Sequence, residues 1–340
     1  MTRWSKIPSL LGWLLCIIPC SLSAAKDWPR YEFSQPCMGT LFRIVIYSDK
    51  PEKEIGEAVR DAFAVGTRMD KIFSDYIAES EVSRFNHSSV GKSIPASAEL
   101  LHLLTLSDKL HTQTEGRFDP ACGALSRLWR LSRRSGKLPP PGILTSAKEA
   151  SGWNQLHVDF DKSTITRMHP DTRLDFGGVA KGYAADKMLR SLRRTGLACA
   201  SITAGGDIAT GNAPPGKKGW KVAIHPRGDK KPPAFVIQIS NASVSTSGDV
   251  EQVIEIDGIR YAHIIDMKTG LGLRTQRAAA VITRHCARSD ALATALCIAG
   301  KNGLKMIRAL PQTEAALFIA NIDGESSIQT EGFAAFITSK

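Results

Sequence analysis

Stretches with helical spacing of apolar residues are mixed along this chain with stretches of strand-like alternation. Between Glu52 and Asp75 the apolar residues recur every three or four positions, which predicts a long amphipathic helix. Ser97 and Ser289 are typical N-caps, and Gly196 is a typical helix stop. The pattern therefore predicts further helices at residues 97–112, 183–194, 289–299 and 304–310.

Strand-like alternation is found near the N-terminus and dominates the second half of the chain. Helices and strands do not alternate strictly, which favours an α+β fold with largely antiparallel sheets flanked by helices. The length of 340 residues is enough for one large domain or for two intimate subdomains. The predicted strands are residues 31–35, 41–47, 198–204, 220–225, 235–239, 261–265, 278–283 and 316–320.

The N-terminus has the pattern of a secretory signal. Arg3 and Lys6 precede a mostly apolar stretch at residues 7–22, and small residues follow at 21–25. We expect residues 1–25 to be removed, leaving residues 26–340 as a single domain in the periplasm or secreted. A lipid-anchored, membrane-associated protein is the alternative, because Cys20 follows the apolar stretch, although Pro19 occupies the position where a small residue is usual.

The formal net charge of +11 suits anionic partners such as phosphates or lipid head groups. The densest basic stretch, residues 127–137, runs into three consecutive prolines, which predicts a loop. Trp129 is its single aromatic residue, so aromatic residues do not recur between the basic ones, and we expect no nucleic-acid partner. Five cysteines follow the apolar stretch without any C-x-x-C pair, which argues against a zinc or redox site and leaves any disulfide pairing open.

The sequence LDFGGVAKGYAAD, residues 174–186, predicts a buried strand end that carries the acid Asp175, followed by glycines, a cation and a predicted helix. Glycine allows a ligand to approach the backbone closely, and amides at a helix start favour anions. The stretch contains neither G-x-G-x-x-G nor a Walker motif. It predicts a phosphate or metal site of another kind, centred on Asp175 and Lys181.

Two further segments carry candidate chemistry. Asp290 and Thr294 are four residues apart on a predicted helix, so their oxygens share one face and suit Mg²⁺. Alternatively, Asp290 only favours the helix dipole and Thr294 only packs. His263 lies on a predicted strand before a turn that contains Asp266. A histidine there is either a general base or a hydrogen-bonded structural residue.

Taken together, eight motifs in order resemble the ApbE family of FAD:protein FMN transferases, over nearly the whole chain after the leader. They are MGT (38–40), SRFN (83–86), GRFDPA (116–121), LDFGGVAKGYAAD, AGGD (204–207), STSGD (245–249), HIIDMKTG (263–270) and SDALATA (289–295). The resemblance implies an ApbE-like, T-fold-like architecture. One departure is Met267, which stands where such proteins usually have proline.

The resemblance also implies roles for individual residues. Mg²⁺ would be held by the Gly178 carbonyl with Asp290 and Thr294. His263 would be the general base, with Asp266 as a second catalytic residue. The residues implied in binding FAD are Met38, Tyr76, Arg117, Phe118, Asp119, Asp175, Lys181 and Ile265.

The implied reaction is Mg²⁺-dependent transfer of FMN from FAD to a threonine or serine hydroxyl of an acceptor protein, with release of AMP. The implied acceptors are subunits of electron-transfer membrane complexes or flavin-carrying redox domains, so inner-membrane association is expected. Two alternatives stay open: hydrolysis of FAD to FMN and AMP by the same residues, and FAD binding without catalysis.

Overall fold

The computed structural model describes residues 27–339, apart from residues 229–230, 249–251 and 322–323. The leader at residues 1–25 and Asp249 of STSGD lie outside this range. The helices are α1 Glu52–Phe73, α2 Glu81–Asn86, α3 Ala98–Gln113, α4 Gly123–Ser135, α5 Pro141–Glu149, α6 Ala180–Arg194, α7 Cys286–Ala299 and α8 Gly303–Arg308. Within the described ranges, none of the helices is long and apolar enough to cross a membrane.

The described residues also form eighteen strands. They are β1 Arg30–Cys37, β2 Thr40–Tyr47, β3 Ile94–Pro95, β4 Leu156–Asp159, β5 Thr164–Arg167, β6 Ala200–Ala204, β7 Asp207–Thr210, β8 Trp220–Ile224, β9 Phe235–Ile239, β10 Ser243–Gly248, β11 Val253–Ile256, β12 Ile259–Ala262, β13 Ile265–Asp266, β14 Leu271–Gly272, β15 Arg277–Thr283, β16 Glu314–Asn321, β17 Gly324–Gln329 and β18 Ile337–Ser339.

The main sheet has the strand order β1-β2-β6-β7-β10-β15-β16-β17, and each neighbouring pair is antiparallel. Side chains alternate between its two faces. Ala279 and Val281 of β15 belong to the core under the helices, whereas Ala280 and Ile282 pack against the sheet of β8, β9 and β18. The predicted α+β fold with largely antiparallel sheets is therefore confirmed.

Helix α4 corrects the prediction of a loop at residues 127–137. Leu125 and Trp129 are buried one helical turn apart, and Trp129 Nε1 donates a hydrogen bond to the Ala262 carbonyl at 2.9 Å. Gly136, with φ 68°, ends the helix in the left-handed conformation. The proline run begins only after this stop, so it does not prevent the helix.

The start of α7 also differs from the prediction. Ser289 is not its N-cap, because the helix begins at Cys286 and the Asp186 carboxylate of α6 accepts the backbone N–H groups of Cys286 and Ala287 at 2.9 and 3.0 Å. Ser289 is buried and bonds to Ser245 at 2.8 Å. A cap supplied from a hundred residues away leaves no local sequence pattern.

Candidate active site

The segment that precedes the glycine pair is irregular, not the strand end that the sequence predicted. The Asn86 side chain takes the place of a neighbouring strand: its Nδ2 donates to the Leu174 carbonyl at 3.0 Å, and its Oδ1 accepts the Leu174 N–H at 2.7 Å. The Asp175 N–H donates to the Pro120 carbonyl at 2.8 Å. Leu174 and Phe176 are buried on either side of Asp175. These contacts fix the backbone position from which the Asp175 side chain extends.

The Asp175 carboxylate belongs to the arginine cluster, which we define as Asp75, Tyr76, Ser126, Arg130 and Asp175. The Arg130 guanidinium donates to both carboxylates at 2.5 Å, and Ser126 Oγ donates to Asp175 Oδ2 at 2.6 Å. Arg130 Cζ also lies 4.6 Å from the centroid of the Tyr76 ring. Burial, helped by the negative charge of Asp175, raises the pKa of Asp75.

The lysine cluster, defined as Lys181, Asp207 and Asp290, lies at the start of α6. Lys181 Nζ is 3.2 Å from Asp207 Oδ2, 3.6 Å from Asp290 Oδ2 and 3.2 Å from the Gly177 carbonyl. Burial and the neighbouring charge of Asp207 raise the pKa of Asp290 to about 7. Although burial acts in the opposite direction, the two carboxylates raise the pKa of Lys181. Two buried acids thus share one ammonium.

Gly178 and Thr294, the other two residues implied as metal ligands, lie beside this cluster. A Cβ placed on Gly178 would be 3.4 Å from Thr294 Oγ1, so the Gly178 backbone faces that hydroxyl. Thr294 Oγ1 lies 3.2 Å from Ser247 Oγ, and Asp290 Oδ2 accepts the Gly182 N–H at 3.2 Å. Carbonyl, hydroxyl and carboxylate oxygens suit Mg²⁺.

The contact between α6 and α7 explains why these residues meet. A Cβ on Gly182 would lie 2.4 Å from the Cys286 carbonyl oxygen, so only glycine permits this approach. The described residues contain no group of three or more His, Cys, Asp and Glu side chains able to hold a metal. In the lysine cluster the two acids instead have the ammonium of Lys181 between them.

The three candidates of the GRFD turn have separate surroundings. Phe118 is buried, and its ring edge would be 3.9 Å from a Cβ on Gly178. Arg117 donates to Glu115 at 2.7 Å. The Asp119 carboxylate accepts the N–H groups of Ala121 and Trp153, both at 2.8 Å. Phe118 thus approaches the proposed metal ligands, whereas Asp119 holds the turn together.

Met38 lies at the tip of the β1–β2 hairpin. Its φ is 49° and that of Gly39 is 73°, and paired positive φ values are typical of a two-residue hairpin turn. Thr40, the next residue, would be 3.5 Å from a Cβ on Gly205 of the AGGD turn. The MGT turn and the turn before Asp207 are therefore neighbours, at the same end of strands β1, β2, β6 and β7 of the main sheet.

The HIID segment is not one continuous strand. His263 lies half-buried in a bend between β12 and β13, and it belongs to neither cluster. Ile265 packs with Trp129 and Tyr261. Asp266 Oδ1 accepts the Lys268 N–H at 2.9 Å, so this carboxylate stabilises the turn that follows.

Most of the chain is similar to proteins of one family. The model of the ApbE family matches residues 38–318. The chain belongs to the ApbE family.

Known members of the ApbE family cover nearly the whole chain. A protein of Chlamydia muridarum named FAD:protein FMN transferase is 32% identical over 292 residues, which are 83% of this chain and 88% of that one. One of the same name from Treponema pallidum is 29% identical over 91% of this chain and 90% of its own. The apo crystal structure of Pseudomonas stutzeri flavinyl transferase ApbE has a TM-score of 0.79 at 25% identity, over 92% of this chain and 98% of that one.

Sequence reasoning missed two charged residues of this ApbE-family site. Arg130 was assigned to a loop, although Leu125, Trp129 and Gly136 mark a helix with a buried face and a stop. Asp207 was recognised only as the last residue of the AGGD motif, and nothing local indicates that it meets Lys181. The roles predicted for the individual site residues stay predictions.

Proposed function

We propose that this protein is an FAD:protein FMN transferase that uses Mg²⁺, transfers FMN from FAD to a threonine or serine hydroxyl of an acceptor protein and releases AMP. Membership of the ApbE family supports the reaction class. The observation that carries the proposal for this site is the lysine cluster, in which two buried carboxylates lie beside the hydroxyl of Thr294 and the backbone of Gly178.

The residues present fit a divalent cation. Mg²⁺ would be held by the Gly178 carbonyl, Asp290 and Thr294, and when bound it would neutralise the pyrophosphate and stabilise charge on the leaving oxygen. Lys181 would supply a second positive charge to the phosphates. Because Lys181 also contacts Asp207, its ammonium would keep a carboxylate partner whether or not Asp290 binds Mg²⁺.

The remaining groups orient the two reactants. The Tyr76 ring, 77% exposed, offers an aromatic surface for a planar ring of FAD, and Met38 and Phe118 would supply further apolar contacts. His263 accepts the proton of the acceptor hydroxyl while the hydroxyl oxygen bonds to the FMN-side phosphorus. The bond from that phosphorus to the bridging oxygen breaks, and this oxygen leaves with AMP.

A single incubation tests the proposal against its alternatives. The mature protein is mixed with FAD, Mg²⁺ and a candidate flavin-carrying subunit of an electron-transfer complex, and AMP is measured together with covalent flavin fluorescence on a denaturing gel. Labelled acceptor with equimolar AMP is expected. AMP without labelling, even with several candidate acceptors, would indicate a hydrolase, and FAD binding without AMP would indicate a binding protein.

We further propose that residues 1–25 are a cleaved signal and that the protein acts outside the cytoplasm, beside membrane complexes that carry its acceptor. The support is the basic, apolar and small-residue pattern of the leader. Mass spectrometry of the native protein tests this. An N-terminus between Ser23 and Lys26 is expected, and an acylated Cys20 would show a lipid anchor instead.

A further inference from the structure

Arg130 makes charged or aromatic contacts in three directions. One arm of its guanidinium reaches Asp75, the other reaches Asp175, and its plane lies near the ring of Tyr76. Its side chain is 26% exposed, so these contacts are shielded from much of the solvent. A planar fork with fixed donors can meet two carboxylates and an aromatic ring at once, which a lysine ammonium cannot do with the same geometry.

The first consequence concerns Asp175. A carboxylate has about four acceptor positions, and this one already accepts from Arg130, Ser126 and the Gly177 N–H. The last of these bonds, at 2.8 Å to Oδ1, fixes the first residue of the glycine pair. Arg130 therefore acts through Asp175 on the backbone that leads to the Gly178 carbonyl.

The second consequence concerns Tyr76. An aromatic ring that is 77% exposed has little packing to hold it, and the guanidinium 4.6 Å from its centroid is a specific contact that orients it. The exposed surface of such a ring suits stacking with a planar heterocycle.

We propose that Arg130 is a positioning residue for FAD: it orients the Tyr76 ring as a stacking platform and, through Asp175, fixes the glycine turn beside the proposed metal ligands. This inference rests on the proposed function. The proposal also accounts for the placement of Asp75 and Asp175 against a single arginine, although the charge of Asp175 helps to raise the pKa of Asp75.

The test compares Arg130→Gln and Arg130→Lys with the control Arg127→Gln, an exposed position one turn earlier on α4. FAD affinity is measured by fluorescence quenching, and KM for FAD and kcat by acceptor labelling. We expect Arg130→Gln to weaken FAD binding about tenfold or more, with kcat at saturating FAD falling less. Arg130→Lys should recover part of the affinity because it restores the charge without the fork. Arg127→Gln should match the wild type.

A double-mutant cycle separates positioning from general stability. Tyr76→Leu alone should weaken FAD binding, and adding Arg130→Gln should then cost at least threefold less than it does in the wild type. Additive losses would overturn the proposal, as would Arg130→Gln binding FAD like Arg127→Gln. If Arg130→Gln does not fold, Tyr76→Leu decides, since it leaves the ion pairs intact and unchanged FAD affinity would contradict the platform. A wild type that binds no FAD would remove the proposed function together with this inference.

Discussion

The lysine cluster and the arginine cluster each place one cation between two carboxylates, but they differ in the kind of cation. Lys181 is a point charge on a flexible stem, and its distances to Asp207 and Asp290 are 3.2 and 3.6 Å. Arg130 is a planar fork with bonds of 2.5 Å to Asp75 and Asp175. The flexible stem of Lys181 allows the lysine cluster to rearrange, whereas the planar fork of Arg130 holds the arginine cluster in one geometry.

This difference separates two tasks within one site. The lysine cluster has the oxygen ligands beside it and a carboxylate whose pKa is raised to about 7, so a divalent cation there would relieve the repulsion between its acids. The arginine cluster has its acceptor positions largely satisfied by protein donors. We therefore expect changes in the lysine cluster to alter metal binding and chemistry, and changes in the arginine cluster to alter FAD binding.

The largest effect is expected for Asp290→Asn, which removes the charged ligand proposed for Mg²⁺. Transfer at ordinary Mg²⁺ should fall by about three orders of magnitude, because metal stabilisation of charge contributes several kcal/mol. FAD binding should fall much less, since the arginine cluster is intact. Acceptor labelling over a range of Mg²⁺ concentrations measures this, with the exposed Asp61→Asn as control. Wild-type turnover would remove the metal assignment.

His263 belongs to neither cluster, so its substitution tests whether transfer needs a general base in addition to the two clusters. If it is the base, His263→Ala should lower transfer at saturating FAD by roughly two to four orders of magnitude while FAD affinity changes little. The exposed His157→Ala serves as control. The measurement pairs FAD quenching with acceptor labelling. Loss of affinity and stability together, with the saturated rate near wild type, would show a structural role instead.

The two glycines at the start of α6 test the packing that brings the lysine cluster together. Gly182→Ala places a Cβ 2.4 Å from the Cys286 carbonyl oxygen and should destabilise the fold by about 1–3 kcal/mol. Gly178→Ala is the matched control, because its Cβ would meet Thr294 at an acceptable 3.4 Å. Chemical denaturation measures both. Equal stability of the two variants would contradict the close α6–α7 contact.

Lys181→Met tests whether the lysine cluster needs a cation at all. At pH 8 without Mg²⁺ the two buried carboxylates would lack the counter-charge of Lys181, so Tm should fall by about 5 °C, and Mg²⁺ should raise it by more than in the wild type. Thermal unfolding with and without Mg²⁺ measures this, with the exposed Lys53→Met as control. A Tm that Mg²⁺ does not restore would mean that Lys181 is purely structural.

The smallest effect concerns the turn that carries Phe118 toward Gly178. The Asp119 carboxylate, 3.2 Å from His111 Nδ1, raises the pKa of His111, although partial burial acts against it. Protonated His111 therefore stabilises the fold fully below pH 6.5, and this contribution is lost as pH rises through the raised pKa. Urea unfolding at pH 6 and pH 8 should show a decrease that His111→Gln diminishes. An unchanged difference between the two pH values would assign the effect to other groups.

Sequence predicted the fold well where hydrophobic periodicity is local. The strand at Phe235–Ile239 and the helix that begins after Ser97 were found within a residue or two, because the alternation and the N-cap lie inside each element. Gly178, Asp290 and Thr294 were grouped through the family resemblance. The α6–α7 contact brings Gly178 beside Thr294, and the shared role of the three residues as metal ligands stays a prediction.

What sequence missed depends on partners far along the chain. The cap of α7 comes from Asp186, the strand-like bonds of Leu174 come from Asn86, and Asp207 gains its partner Lys181 only when β7 meets α6. Arg130 could have been found from the buried face of α4, but the following prolines were given too much weight. No local pattern indicates which carboxylate an arginine will meet.

The central claim is that the lysine cluster binds the divalent cation while the arginine cluster holds FAD. A crystal structure of the wild type with Mn²⁺ in place of Mg²⁺ and with FAD tests this directly through the anomalous signal of the metal. The account predicts one peak between the Gly178 carbonyl, Asp290 and Thr294, with Lys181 Nζ moved from Asp290 toward the phosphates and the FAD ring on Tyr76. A metal bound elsewhere, with Lys181 still between Asp207 and Asp290, would contradict it.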